Sequence, residues 1–381
     1  MKSIAIYVHW PFCKSKCHYC DFNSHVREQI DHQSWLETYK KEIFYYRDFL
    51  LNKNITSIFF GGGTPSLMPL SLIESIIKEF HTICSFDKNI EITLEANPTS
   101  IEISKFIGLA SAGINRISIG IQSFNDTHLK FLGREHSAGE ALKSIEIADK
   151  YFSNFSFDLI YTLPNQSLAQ WEKELKFALS FAKYHISLYQ LTIEKGTRFY
   201  SDFLNHKFTL PSSDESAIFY ELTEKITKQN GLSPYEISNY SKPGFESKHN
   251  MSYWKYDEYI GFGPGAHSRI DRGNGLEAIV HYHLPEKWLS SITEKGHSIQ
   301  TQTILSPSEV AEEFLLMNLR LINGIDKQSF QIKTGMLLEH FLNEQKLRNL
   351  EKDLFLINQT DKIILTFNGR LLLNQIINFL L

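Results

Sequence analysis

The chain has 381 residues, 42% of them hydrophobic and 22% charged, with a formal net charge of −4. That balance predicts one large domain and a smaller one around a substantial core, and the scattered Lys and Arg exclude the basic field that nucleic acid or anionic lipid would need. Of four cysteines, three lie between positions 13 and 20, no export signal is visible and no apolar run approaches the roughly 20 residues of a membrane helix; a cytoplasmic protein without a disulfide framework and without membrane insertion is expected.

The first element is a strand-like run over 4–10, and Cys13, Cys17 and Cys20 follow at once in a C-x3-C-x2-C loop. Four thiolates saturate a cubane iron–sulfur cluster, so three leave one iron free to hold a small molecule. A zinc knuckle would want a fourth ligand nearby. Further β-branched or aromatic runs at 55–60, 90–96, 116–121, 155–161 and 185–193 alternate with helix-patterned segments, such as Leu72, Ile73, Ile76, Ile77 and Phe80, or Leu168, Trp171, Leu175, Leu179 and Phe181. The alternation predicts an α/β fold, a parallel sheet curled into a partial (β/α)6 barrel. Gly61-Gly62-Gly63-Thr64-Pro65, Glu95-Ala96-Asn97-Pro98, Gln122-Ser123-Phe124-Asn125 and Asp158 fall at or just past strand ends, where parallel α/β folds place their sites, so one shared pocket is expected. Cys84 reads as a small buried filler.

The βα rhythm stops near residue 195. The expected divisions are a barrel over 1–200, an extension over 201–303 containing an aromatic and glycine-rich stretch at 235–268, and an appendage over 304–381. The last opens on the helix-start signal Ser306-Pro307-Ser308-Glu309 and ends with a strand-like run at 363–367, which suits a small helical, winged-helix-like region. It carries no basic recognition face, so DNA binding is not expected.

Tyr7-x-His9-x-Pro11-Phe12-Cys13, the cysteine loop, the glycine turn, Glu95-x-Asn97-Pro98 and Gln122-Ser123-Phe124, in that order, resemble the radical S-adenosylmethionine (SAM) enzymes, in the branch around oxygen-independent coproporphyrinogen III oxidase. The resemblance implies a [4Fe–4S] cluster on Cys13, Cys17 and Cys20, with SAM on the fourth iron. It places Tyr7, Tyr19, Gly62, Gly63, Thr64, Glu95, Gln122, Arg134 and Asp158 near SAM. Side-chain-free Gly62 and Gly63 would let backbone amides reach the methionine moiety, Thr64 would add a hydroxyl and Glu95 an acceptor for a cation. Arg134 offers a fork for a carboxylate, Asp158 an acceptor for the ribose, and Tyr7 and Tyr19 contacts for the adenine. A reductant such as a flavodoxin or ferredoxin is implied for any catalytic use.

Two departures separate the chain from the oxidase. Cys20 is followed by Asp21-Phe22-Asn23-Ser24, where the oxidase resembles C-x3-C-x2-C-x-C, and only twelve residues precede Cys13, where the oxidase carries a longer segment. His249-Asn250-Met251-Ser252-Tyr253-Trp254 instead is similar to the H-N-x-x-Y-W motif of HemW-type haem chaperones, which implies haem binding and delivery to acceptor haemoproteins, including respiratory enzymes at the membrane. On that resemblance His249 is the expected axial ligand, Asn250 a neighbour, and Tyr253 and Trp254 a cover for the macrocycle; His267 is a second candidate ligand. A hydrogen-bonded turn at His249 and Asn250, with Tyr253 and Trp254 as packing anchors, stays open, as do the oxidase reaction and a radical-SAM reaction on another substrate.

Overall fold

The six runs form strands: β1 (Lys2–Trp10), β2 (Lys53–Gly62), β3 (Ser85–Ala96), β4 (Arg116–Gln122), β5 (Asn154–Tyr161) and β6 (His185–Gln190). The computed structural model describes residues 2–381, and these strands pair in parallel in chain order. β3 starts earlier than its apolar pattern because Ser85 and Phe86 pair with Asn54 and Ile55 ahead of a bulge. β6 stops at Gln190, beside the point where its neighbour has turned at left-handed Thr162 (φ 58°).

Amphipathic helices make the crossovers: α1 (His32–Tyr45), α2 (Leu70–Ile83), α3 (Ala138–Tyr151) and α4 (Leu168–Leu179). Leu72, Ile73, Ile76 and Phe80 of α2 and Trp171, Leu175 and Leu179 of α4 are buried, as their spacing requires. Capping boxes at Ser137/Glu140 and Ser167/Gln170 satisfy the first amides of α3 and α4 and set where each helix begins. Cys84 is buried against α2, its thiol donating to the Phe80 carbonyl at 3.3 Å.

Beyond β6 the sheet continues where no strand pattern was legible. After α5 (Ser213–Gln229), β7 (Ser233–Pro234) and β8 (Asn239–Ser241) extend the β6 edge in antiparallel fashion. The chain then returns through α6 (Lys248–Trp254) to the opposite edge. There β9 (Tyr259–Phe262) pairs in parallel with β1, and β10 (His267–Asp271), β11 (Leu276–His281) and β12 (Ile299–Ile304) follow antiparallel. Among the described residues the strand order is β12-β11-β10-β9-β1-β2-β3-β4-β5-β6-β8-β7, an open curl rather than a closed barrel.

Glu42 of α1, fully buried, ties this extension to the barrel. It accepts from the Gly263 amide at 2.8 Å, Trp288 Nε1 at 3.0 Å and the Ser298 hydroxyl at 2.6 Å. Glu42→Leu leaves those buried donors unpaired, so a loss on the order of 3–5 kcal/mol is expected in urea denaturation. A loss within 1 kcal/mol would show that other acceptors replace the carboxylate.

The C-terminal region has its own core, including Phe314, Ile325, Phe330, Leu350, Leu356, Ile363 and Ile377. Its order is α7 (Pro307–Asn318), β13 (Ile325–Asp326), α8 (Lys327–Thr334), a single helical turn at Leu338–Phe341, α9 (Glu344–Lys352), β14 (Leu356–Asn358) and β15 (Lys362–Leu365), then α10 (Phe367–Leu371) and α11 (Leu373–Leu380). The three short strands pair antiparallel in the order β13-β15-β14. Among the described residues no helix is long and apolar enough to cross a membrane.

Candidate functional site

A cavity of about 810 Å³ opens at the carboxyl ends of the parallel strands. Cys13, Cys17, Cys20, Tyr19, Gly62, Gly63, Thr64, Glu95, Gln122, Arg134 and Asp158 all line it, so residues scattered over 146 positions share one wall as the strand topology requires. The cysteine loop is pinned through His18: its amide donates to the Leu132 carbonyl at 3.1 Å, its Nδ1 lies 2.9 Å from the Phe131 carbonyl, and its own carbonyl accepts from Phe199 at 2.9 Å.

The three thiols are free of disulfides and partly exposed. Thr64 donates its hydroxyl to Cys13 Sγ at 3.4 Å, and Arg134 Nη1 donates to Cys17 Sγ at 3.2 Å. Donors aimed at sulfur stabilise thiolates and tune any iron they hold. Burial pushes the Cys20 thiol up to about 11, so metal would enter by displacing a proton. No three His, Cys, Asp or Glu side chains converge on a single-ion site among the described residues. A cubane takes each thiolate on a different iron and needs no such convergence.

The glycine turn works differently from the sequence expectation. The Gly62 amide donates to Glu95 Oε2 at 3.2 Å, Gly63 to the Trp10 carbonyl at 2.7 Å and Thr64 to the Phe12 carbonyl at 2.8 Å. These amides are therefore already engaged by protein. The turn needs glycine because Gly62 is left-handed (φ 110°) and a Cβ on Gly63 would stand 2.7 Å from the Phe12 carbonyl oxygen. Its service is to let β2 approach the cysteine loop.

Glu95 and Asp158 face the cavity from β3 and β5. Burial, reinforced by Asp158, pushes the Glu95 carboxyl up to about 8 against the opposing Gly62 amide and Arg116. Burial likewise lifts Asp158 to about 6, opposed by Ser187 and Arg116. Two raised carboxyls in one cavity are poised to receive a cation. Arg134 Nη2 donates to Asn97 Oδ1 at 2.5 Å and the Gly120 carbonyl at 2.6 Å, leaving a buried Nε without a partner. Gln122 is left-handed (φ 69°), with buried Oε1 also unpartnered. Asn97 was visible only as part of a turn motif; its place beside Arg134 depends on Glu102, which accepts its amide at 2.8 Å.

Tyr19 packs against the Leu132, Leu191 and Phe199 cluster while lining the cavity. Tyr7 does not reach the wall. Its Oη lies 3.0 Å from His9 Nδ1 and its ring stacks on Phe59.

The expected haem residues sit on α6, which packs on β1 and β2. His249 is 1% exposed; its Nδ1 lies 3.0 Å from Ser57 Oγ and its Nε2 2.9 Å from Tyr253 Oη, while its ring stacks on Phe59. Burial, with Arg116 nearby, lowers its pKa to about 3. Both nitrogens are spent, so in this conformation His249 presents no lone pair to a haem, and Tyr253 bonds the imidazole instead of covering a macrocycle. The i,i+4 spacing does put His249 and Tyr253 on one face, but that face points inward. Asn250 is half-buried, its amide capped by Ser247 Oγ at 3.4 Å; Trp254 lies under the Arg320 guanidinium, 4.9 Å from ring centroid to carbon. His267, on β10, is exposed.

Residues 7–178 match the radical SAM superfamily and residues 305–372 the HemN C-terminal domain. The chain is 34% identical to the heme chaperone HemW of Haemophilus influenzae, covering 99% of this chain and 98% of that protein, and 32% identical to HemW of Bacillus subtilis, covering 98% and 97%. It is 34% identical to the mitochondrial radical S-adenosyl methionine domain-containing protein 1 of Danio rerio, covering 98% and 86%. The Escherichia coli coproporphyrinogen III oxidase HemN superposes with a TM-score of 0.83 at 21% identity over all of this chain and 90% of the other, a shared fold. The superfamily implies a [4Fe–4S] cluster and SAM. On the full-length similarity, the C-terminal match and the cysteine-lined cavity, the chain belongs to the HemW family within the HemN-like branch of the radical SAM superfamily.

Proposed function

We propose that the chain is a haem chaperone, binding a [4Fe–4S] cluster, SAM and haem and passing haem to acceptor haemoproteins. The observation that carries this reading is the end-to-end similarity to proteins named heme chaperone HemW. A fold shared with an oxidase does not carry the oxidase's reaction with it. Phe22, 56% exposed on the cavity rim, stands where the oxidase resemblance has a further cysteine.

The cavity fits its implied cofactors. Three free thiols with donors on two sulfurs suit the cluster, and raised Glu95 and Asp158 with unpartnered atoms on Gln122 and Arg134 suit a ligand carrying both a cation and polar groups. When bound, the cluster supplies one-electron chemistry and an open iron for SAM. Cys13, Cys17 and Cys20 would hold it; Glu95 would take the ligand's positive charge, Asp158 a hydroxyl, and Arg134 would keep Cys17 in place while offering Nε. Acceptors at respiratory membranes and a flavodoxin- or ferredoxin-type reductant complete the proposed partners.

His267, the second candidate ligand, is exposed where His249 is buried. Partial desolvation of the ring, although the residue as a whole is exposed, with Arg269 and His283 beside it, holds its pKa below the ordinary histidine value, which keeps the ring neutral and able to ligate iron. An anaerobic haem titration of wild type, His267→Ala and His249→Ala tests this. His267→Ala is expected to weaken the ferric or ferrous ligation spectrum by at least about tenfold in affinity. His249→Ala is expected to lower thermal stability and leave the spectrum in place. The opposite pattern would mean that α6 opens to expose His249, and absence of saturable binding would overturn the chaperone reading.

A further inference from the structure

The cavity extends beyond the cysteine-bearing wall to surfaces contributed by the C-terminal region, and that end carries unspent positive charge. Arg320, which follows α7, lines it half-buried. Its Nε is buried without a partner, no ion pair or side-chain hydrogen bond engages it among the described residues, and its guanidinium stacks on Trp254. A guanidinium has five donors in a planar fork, so leaving them unused in a half-buried position is costly unless something else arrives to accept them. Glu236 lies close enough to feel the charge; its Oε1 is taken by Ser238 and Asn239, while its buried Oε2 has no partner and stands beyond ion-pair distance of the guanidinium.

Arg370 of α10 lines the same end, with its side chain 9% exposed. One arm pairs with Glu224 Oε2 at 2.6 Å, and Glu224 is shared with Lys228, so the cluster keeps an excess of cations; Arg370 Nε has no partner. The first residues of α11, Leu373, Asn374 and Gln375, also line the cavity, and the helix has no side-chain cap at its start. The positive end of its dipole therefore faces the same end of the cavity. Apolar Ile237 and Leu371 complete the wall.

We propose that this end is a carboxylate-binding subsite for a flat apolar ligand bearing acid side chains, with Arg320 as the open fork and Arg370 and the start of α11 as supporting positive charge. Naming that ligand a porphyrin rests on the chaperone reading; the carboxylate chemistry rests on the arginines and the helix start. Bidentate arginine–carboxylate pairs are strong and geometrically selective, which would orient the ligand edge-on with its acid groups toward the C-terminal region.

The test compares metal-free protoporphyrin IX with its dimethyl ester on the full chain under anaerobic conditions, by fluorescence titration, with haem titrated alongside by absorbance. Wild type is expected to bind the diacid at least about tenfold more tightly than the diester, and Arg320→Met to remove most of that preference. Arg320→Met also removes the charge that Glu236 feels, so its melting temperature is measured to confirm that it folds, and Arg320→Lys, which keeps that charge without the fork, should restore the preference only in part. Equal binding of acid and ester by wild type, or an undiminished preference in Arg320→Met, overturns the subsite even where haem ligates. An acid preference that stands without any iron-ligation spectrum sustains the subsite and removes the chaperone reading.

Discussion

Alanine at Cys13, Cys17 or Cys20 is expected to reduce reconstituted iron and sulfide from about four per chain to a small residue and to remove the iron–sulfur absorbance. Each thiol lies on a loop held by its own contacts: Phe12 and Cys13 pair with His25 and Val26, and His18 is bound on both sides. Losing one sulfur therefore removes a ligand while leaving the loop in position. Cys84→Ala is the internal control. Its thiol is buried against α2, away from the cavity, and its loss should leave iron content unchanged. Full iron content in all three loop variants would exclude the cluster assignment.

Glu95→Gln is expected to weaken SAM binding to the reconstituted protein by about tenfold to a hundredfold, because it replaces a charge-assisted contact by a neutral one. The pH dependence is more diagnostic. With its pKa pushed up to about 8, Glu95 carries a proton at neutral pH in the ligand-free chain, and a cationic ligand must expel it. Wild-type affinity should then rise from pH 6 to 8, by up to about tenfold per unit, and level off above; the Gln variant should change by no more than about twofold over that range, the part left by Asp158. The stability of the ligand-free chain runs the other way. A carboxyl whose folded pKa exceeds its unfolded value of 4.5 favours the native state below the unfolded pKa and loses that contribution as pH rises through about 8. Glu95→Gln should therefore flatten the loss of stability between pH 5 and 8. A wild-type affinity independent of pH would remove Glu95 from the role of cation acceptor.

Much of this site was legible before any coordinates. Strand-forming runs fixed the parallel order, and chemistry-bearing residues placed at strand ends met in one cavity because parallel topology leaves them no other edge. What escaped was of two kinds. Short segments such as Ser233–Pro234 and Tyr259–Phe262 carry too few residues to show a period, and their strand state comes from edges supplied by residues far away in sequence. Direction was the second. The sequence cannot say which way a side chain faces, so it left His249 open between a haem ligand and a hydrogen-bonded turn where the structure has a buried link between Ser57 and Tyr253, and the Gly62–Thr64 amides looked open but are engaged by Glu95, Trp10 and Phe12. Arg320 and Arg370 gave no local signal at all; their common wall with the cysteines exists only because the C-terminal region folds onto the cavity.

The most direct measurement loads the reconstituted chain with one equivalent of haem, mixes it anaerobically with an apo-haemoprotein, and follows the acceptor's spectrum, while a parallel sample receives coproporphyrinogen III, SAM and a reductant. Haem moving to the acceptor faster than free haem at the same concentration, with coproporphyrinogen III left unconverted, is the expected result. Release of carbon dioxide from coproporphyrinogen III, with no haem delivered, would contradict the chaperone function and return the chain to the oxidase reaction.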